Sequence, residues 1–159
     1  MSDFIEKINS SFNDPRRDTS FDPNLLDELE ESERKEVEDK IVRLCLYGDR
    51  VSYQYIPYLD MYDPKEVFND ESLKELKPFD RALIYKSAYL GSLDEYYLDK
   101  IVSLAKDDIN SYSMFTLMCK DNLLNDDYKD IAKEIADSKE DETYKKMYEN
   151  RIAIERKVK

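Results

Sequence analysis

Glycine occurs only twice in this chain of 159 residues, at Gly48 and Gly91, and this scarcity limits what the chain can fold into. With only five prolines as well, the chain has too few turn residues for a β-sandwich, which needs frequent glycine and proline between short strands. Each glycine follows an apolar, tyrosine-containing run and precedes a helix-capping residue, Asp49 or Ser92. The pattern predicts helices with short connections, each glycine ending a helix.

The two glycines also align two similar segments of the chain, 43 residues apart. At that offset Ile41 matches Ile84 and Tyr53 matches Tyr96, and the second copy carries an S-x-x-E capping box at Ser92. The period lies close to the roughly 40–47 residues of HEAT and armadillo repeats. The sequence therefore predicts an all-α fold of stacked antiparallel helical hairpins, a HEAT-like α-solenoid, with an irregular helical bundle as the alternative.

The predicted domain organisation is simple. Residues 1–21 are mostly polar and are predicted to form an N-terminal arm that is partly mobile, followed by a single helical repeat domain over residues 22–159. One segment stays open between two interpretations. Residues 51–59 alternate Val51, Tyr53 and Tyr55 as a strand would, whereas the second copy at the equivalent place predicts a helix.

Charge and composition narrow the classes of partner. The chain holds 37 acidic and 25 basic residues, a net charge of -12, which repels nucleic acid and anionic membranes and suits a protein with a basic surface. No stretch approaches the roughly 20 apolar residues of a membrane span, and the N-terminus lacks the apolar core of a signal peptide. We therefore expect a cytoplasmic protein, with its two cysteines as buried free thiols.

The sequence offers little for catalysis. Histidine is absent, which excludes a Ser-His-Asp or Cys-His arrangement, and the two glycines lie too far apart for a phosphate-binding loop. The acidic run of residues 27–39 is most simply a solvated helix face. We expect a protein that is not an enzyme and needs no metal or cofactor, although a carboxylate-dependent hydrolase stays open.

Tyrosines beside acidic residues are the candidate binding residues. Tyrosine supplies rigid contact area with a hydroxyl, and neighbouring acids attract a basic partner. Tyr97 is predicted to lie in the core, and Tyr53 and Tyr96 on the surface. The alternative is that the tyrosines only fill space between helices. The predicted partner-binding residues are Tyr53, Tyr55, Asp60, Asp94, Glu95, Tyr96 and Asp99.

The segments "LCLYGD" and "YLGSLDEYYLDKIVSL", in a small acidic helical repeat chain, resemble the HEAT-like helical repeat immunity proteins of bacterial polymorphic toxin systems. The resemblance implies a protein without enzymatic activity that binds a cognate toxin and occludes its catalytic domain. We expect a monomer or weak dimer, and the resemblance together with the net charge suggests a basic toxin domain as the partner. A helical repeat scaffold or adaptor with a peptide- or protein-binding groove is the alternative.

Overall fold

The computed structural model describes residues 23–121 and 123–153. These residues are mostly helical and contain no β-strand, so the predicted all-α fold is confirmed. The chain divides into two compact units, the first ending at Glu95 and the second beginning at Tyr96. The predicted arm, residues 1–21, lies outside the described residues, and the single domain predicted over residues 22–159 stays a prediction.

The first unit is built around a helix with one apolar side. Val37, Ile41 and Cys45 follow one another at four-residue spacing and are buried, so a single face of their helix forms part of the core. Acidic residues occupy the first turn of that helix, where their negative charge interacts favourably with the positive end of the helix dipole. In chain order the elements are a 3-10 helix (Pro23–Glu28), α1 (Glu31–Leu46), α2 (Arg50–Tyr53), a 3-10 helix (Ile56–Tyr58), α3 (Pro64–Val67) and α4 (Pro78–Ser92).

Residues 51–59, left open by the sequence, are helical rather than extended over most of their length. Asp49 is the N-cap residue of α2, and its Oδ2 accepts a hydrogen bond from Ser52 Oγ at 2.8 Å. Pro57 lies in the first turn of the following 3-10 helix, where its missing N–H removes no intrahelical bond. The strand interpretation of Val51, Tyr53 and Tyr55 is therefore wrong.

Gly48 ends α1 as predicted. Its φ of 86° lies in the left-handed region, which glycine adopts without the steric cost that a Cβ would bring. Its N–H donates to the carbonyl of Cys45 at 3.0 Å, one of several bonds that close the last turn of the helix. The first turn between helices is therefore made by backbone geometry that glycine provides.

Gly91 has a different role, and the prediction that it ends a helix is wrong. Helix α4 continues through Ser92, and its C-cap residue Leu93 adopts the left-handed conformation at φ 58°. The capping box predicted at Ser92 does not form either, since Ser92 is the last residue of α4 and its Oγ donates to the carbonyl of Ala88. A Cβ at Gly91 would lie 2.8 Å from both the Cα and the Cβ of Pro57. Glycine is needed here for close packing between two segments.

The second unit contains an antiparallel helical hairpin. The Tyr112 hydroxyl donates to the carbonyl of Ala132 at 2.8 Å, and the rings of Phe115 and Tyr128 lie 6.4 Å apart. Phe115 comes after Tyr112 in the first helix, whereas its partner Tyr128 comes before Ala132 in the second helix. The two helices therefore run in opposite directions. The elements are α5 (Glu95–Asp107), α6 (Ile109–Lys120), α7 (Asp126–Ser138), α8 (Glu142–Tyr148) and a π-helical turn (Glu149–Ala153).

Polar side chains fix the ends of this hairpin. The carboxylate of Asp108 accepts from the N–H of Ser111 at 2.8 Å, which caps α6, and Asn125 caps α7 by accepting from the N–H of Asp127 at 3.0 Å. In the π-helical turn, Arg151 Nη1 donates to the carbonyl and the hydroxyl of Ser113, each at 2.8 Å. The turn after α8 is thereby attached to the middle of α6.

Candidate functional site

Two tyrosines predicted to bind a partner are core residues. Tyr53 exposes 3% of its surface and Tyr55 exposes none, so the predicted surface position of Tyr53 is wrong and the predicted binding role of both rings gains no support. The physical reason is the compact helical path of residues 50–58, which carries both rings inside the first unit where an extended strand would alternate sides. A ring that is already buried offers little contact area to a partner. Tyr97 is buried, as predicted, and Tyr96 is partly exposed.

The hydroxyl of Tyr53 is held by the buried carboxylate of Asp80. Tyr53 donates to Asp80 Oδ1 at 3.1 Å, and Arg50 Nε donates to the same oxygen at 2.8 Å. Burial, together with the charge of Asp80, raises the pKa of Tyr53 above its ordinary value. The guanidinium carbon of Arg50 also lies 5.2 Å from the centroid of the Phe79 ring. This network joins α2 to the first turn of α4.

Asp60 lies on a loop that a second buried carboxylate holds in place. Glu38, fully buried in α1, accepts hydrogen bonds at Oε1 from the N–H groups of Asp60 and Met61, at 2.8 and 3.0 Å. Its Oε2 accepts from Arg34 Nε at 2.8 Å, and Arg34 also donates to the carbonyl of Tyr58. Three charge-assisted bonds therefore fix the loop backbone while the side chain of Asp60 is exposed.

The acids at the start of α5 differ in their surroundings. Asp94, partly exposed, forms an ion pair with Lys65, so part of its charge is already compensated. Glu95 and Asp99 are both exposed and lie four residues apart, which places them on one side of the helix. The predicted acids are therefore not equivalent: Glu95 and Asp99 face solvent, and Asp94 is held by Lys65.

Tyr96 lies between those two exposed acids in sequence, and its ring is positioned by its neighbours. The ring meets Tyr97 edge to face, with centroids 5.3 Å apart and planes at 78°. The ammonium of Lys100, one turn later, lies 5.5 Å from the Tyr96 centroid. We call the surface formed by Glu95, Tyr96 and Asp99 the α5 face. It combines two carboxylates with a partly exposed aromatic ring.

The first unit also contains a groove that the sequence did not predict, with a volume of about 370 Å³. One side is lined by Arg50, Tyr53, Gln54 and Pro57, and the other by Leu83, Lys86, Ser87 and Leu90. We call it the α2–α4 groove. Each row has the spacing i, i+3, i+4, i+7 of a helix face. The sequence did not reveal the first row because residues 51–59 also alternate as a strand would.

The chemistry of the remaining groups is limited. Cys45 and Cys119 are buried thiols that form no disulfide, as predicted, and burial raises the pKa of the Cys45 thiol. In the part of the chain that the structure describes, no three or more aspartate, glutamate, cysteine or histidine side chains are grouped to hold a metal ion. None of the described helices combines the length and apolar character needed to cross a lipid bilayer.

Comparisons of the chain with protein-family models, with curated proteins and with solved structures find no match. Function has to be inferred from the surface chemistry of the described residues.

Proposed function

We propose that this protein inhibits another protein by binding it, most concretely as an immunity protein that neutralises a bacterial toxin by occluding its catalytic domain. The observation that carries the proposal is the α5 face, where the exposed carboxylates of Glu95 and Asp99 flank the partly exposed ring of Tyr96. A tyrosine beside acidic groups is the chemistry expected of a surface that recognises lysine and arginine.

The overall charge supports the same kind of partner. A net charge of -12 attracts a basic protein over a distance of about one Debye length, roughly 8 Å at physiological salt, and raises the rate of productive encounter. Asp60 adds an exposed carboxylate on a loop whose backbone is held by Glu38. Asp94 contributes less to the proposed surface because Lys65 already pairs with it. Tyr53 and Tyr55 have no place in it.

In the proposed mechanism, the acidic residues and the tyrosine ring have different roles. Glu95 and Asp99 steer a basic toxin domain towards the α5 face, and Tyr96 supplies contact area that becomes buried in the complex. Rim charges act mainly on the association rate, whereas a buried aromatic acts mainly on the dissociation rate. Occlusion of the toxin's active site then needs no catalytic group on this chain.

Co-purification from the native cell identifies the partner, and the proposal requires the recovered protein to be basic and toxic when it is produced alone. Protection of the cells by this chain, and a matching loss of the toxin's activity in vitro, would support the inhibitor role. A recovered partner that is acidic, or that retains full activity in the complex, would overturn it.

Surface plasmon resonance with that partner tests the α5 face. The Glu95→Lys/Asp99→Lys variant is expected to slow association by about tenfold or more at low salt, with a smaller change at high salt. Tyr96→Ala is expected to speed dissociation by about tenfold or more, as for a hot-spot aromatic. Asp130→Lys/Glu134→Lys, which reverses two exposed acids four residues apart on α7, is the matched control. Rates that are equal for the α5 variants and this control would rule out the α5 face.

A further inference from the structure

The α2–α4 groove is built on two fixed contacts, one towards each end of its two rows. At one end, Asp80 accepts hydrogen bonds from both Arg50 and Tyr53. At the other end, Pro57 packs so closely against Gly91 that no Cβ fits between them. Residues 50–57 therefore run alongside α4 in the same direction and are held at both ends. A groove with such walls is formed before any ligand arrives, which lowers the entropic cost of binding.

A strip of apolar side chains runs along the groove. Pro57 and Leu90 are exposed, Leu90 by 44%, and Leu83 is partly exposed. Leu83 and Leu90 are seven residues apart on α4, which corresponds to roughly 10 Å, or two helical turns. The exposed apolar side chains thus form a strip long enough to contact about two turns of a second helix.

The charges of the groove are opposite in sign to those of the chain as a whole. Arg50 and Lys86 line it, and none of its described lining residues is acidic. Asp80, at one end of the groove, compensates part of the charge of Arg50, so Lys86 is the main cation. Arg50 uses Nε for Asp80, and its Nη groups make no hydrogen bond to another described residue. Lys86 likewise makes no hydrogen bond or ion pair with a described residue. In a chain with 37 acids and 25 bases, a cationic apolar groove favours a ligand of negative charge.

A peptide lying in this groove has to satisfy its own backbone groups. The described residues contain no strand whose edge could pair with an extended peptide. A helical segment satisfies its backbone internally and presents side chains at i, i+3, i+4 and i+7, the same spacing as the two rows of the groove. The geometry therefore favours a helix over an extended segment.

We propose that the α2–α4 groove binds an acidic amphipathic helix of another protein, with leucine-class side chains against Pro57, Leu83 and Leu90 and with carboxylates beside Lys86 and Arg50. This site is independent of the proposed inhibitor function, because it prefers an acidic ligand whereas the α5 face prefers a basic one. The protein would then have two binding surfaces of opposite charge preference.

Fluorescence anisotropy with the full chain tests the groove. The probe is a labelled, end-capped amphipathic peptide of leucine and glutamate at helical spacing, and the comparison peptide carries lysine in place of each glutamate. We expect micromolar binding of the glutamate peptide that weakens as salt rises, and binding of the lysine peptide that is weaker by about tenfold or more at this groove. Tighter binding of the lysine peptide, with no effect of groove variants on either peptide, would overturn the proposal.

Variants of exposed lining residues locate the binding. Lys86→Glu is expected to weaken binding of the glutamate peptide by about tenfold or more, and Leu90→Ala by several-fold. Lys106→Glu, at an exposed lysine of α5, makes the same charge change elsewhere and should leave the affinity as in the wild type. Circular dichroism and the urea midpoint verify that each variant is folded. Equal affinities for Lys86→Glu and Lys106→Glu would overturn the proposal.

Two other occupants are distinguished in the same set of experiments. Sedimentation velocity tests whether a second copy of the chain occupies the groove. If the chain self-associates, Leu90→Ala abolishes the self-association and neither peptide binds, the occupant is a second copy and the proposal is overturned. Titration calorimetry with decanoate tests a small anionic amphiphile in the same way. Decanoate binding that depends on Lys86, without peptide binding, would also overturn the proposal.

Discussion

Replacing Gly91 with alanine sets two physical effects against each other. An alanine Cβ would lie 2.8 Å from both the Cα and the Cβ of Pro57, whereas ordinary van der Waals contact begins at 3.4 Å. The two segments must therefore separate by about 0.6 Å. Because one of the contacted atoms is a backbone atom, no change of rotamer relieves the overlap, and the shift is transmitted along α4 or along the 3-10 helix that contains Pro57.

The two effects differ in size as well as in sign. Overpacking of this kind costs about 1–3 kcal/mol. Alanine regains roughly 0.5–1 kcal/mol through its better helix propensity and the lower entropy of the unfolded chain. The free energy of unfolding should therefore fall by about 1–2 kcal/mol. For a chain of this size that corresponds to a decrease in melting temperature of about 2–8 °C.

Urea unfolding followed by circular dichroism and by tyrosine absorbance measures the change. Ser103→Ala, at an exposed position inside α5, is the control for helix propensity. It should leave the free energy of unfolding unchanged or raise it by about 0.3 kcal/mol. If Gly91→Ala were as stable as the wild type or more stable, the close approach of Pro57 to α4 would not be what requires glycine.

Three further predictions concern buried groups. Glu38→Ala should lower the free energy of unfolding by about 2–4 kcal/mol, because it leaves Arg34 Nε and two backbone N–H groups without their acceptor, although Arg34 keeps its ion pair with Asp27; a loss under about 1 kcal/mol in a urea titration would contradict this. Burial raises the pKa of Tyr53 and Tyr112, so their contribution to stability is complete below about pH 10 and is lost as the pH rises above it. The tyrosinate absorbance of these two residues should therefore appear together with the loss of helical circular dichroism, and full ionisation of all 13 tyrosines with the helical signal intact would argue against their burial. Cys45 and Cys119 should react with Ellman's reagent only after denaturation, and rapid labelling of the native protein would show that a thiol is accessible.

Much of the secondary structure follows from local signals in the sequence. Asn125 before "DDYKDIAKEIADS" predicts the start of a helix, and its side chain caps α7 as expected. Gly48 after an apolar run predicts a helix end, and its positive φ confirms the reason. These signals act within a few residues of each other, so they do not depend on what the rest of the chain does.

The candidate site depends on more than local signals. The sequence identified Glu95, Tyr96 and Asp99, because a helix that is amphipathic and exposed on one side can be recognised by its period. It could not separate them from Tyr53 and Tyr55, which have the same chemistry and a pattern typical of a half-exposed strand. The exposure of a tyrosine is decided by the segments that pack against it.

By itself, the sequence determined that the described chain is mostly helical, that its thiols are buried and that its net charge is -12. Tertiary structure alone decided the role of Gly91, the burial of Tyr53 beside Asp80 and the pairing of α2 with α4 that forms a cationic groove. The physical reason is the separation along the sequence over which each interaction acts. Capping, helical period and net charge are properties of short segments or of composition, whereas a close approach between Pro57 and Gly91 exists only once two segments 34 residues apart have packed together.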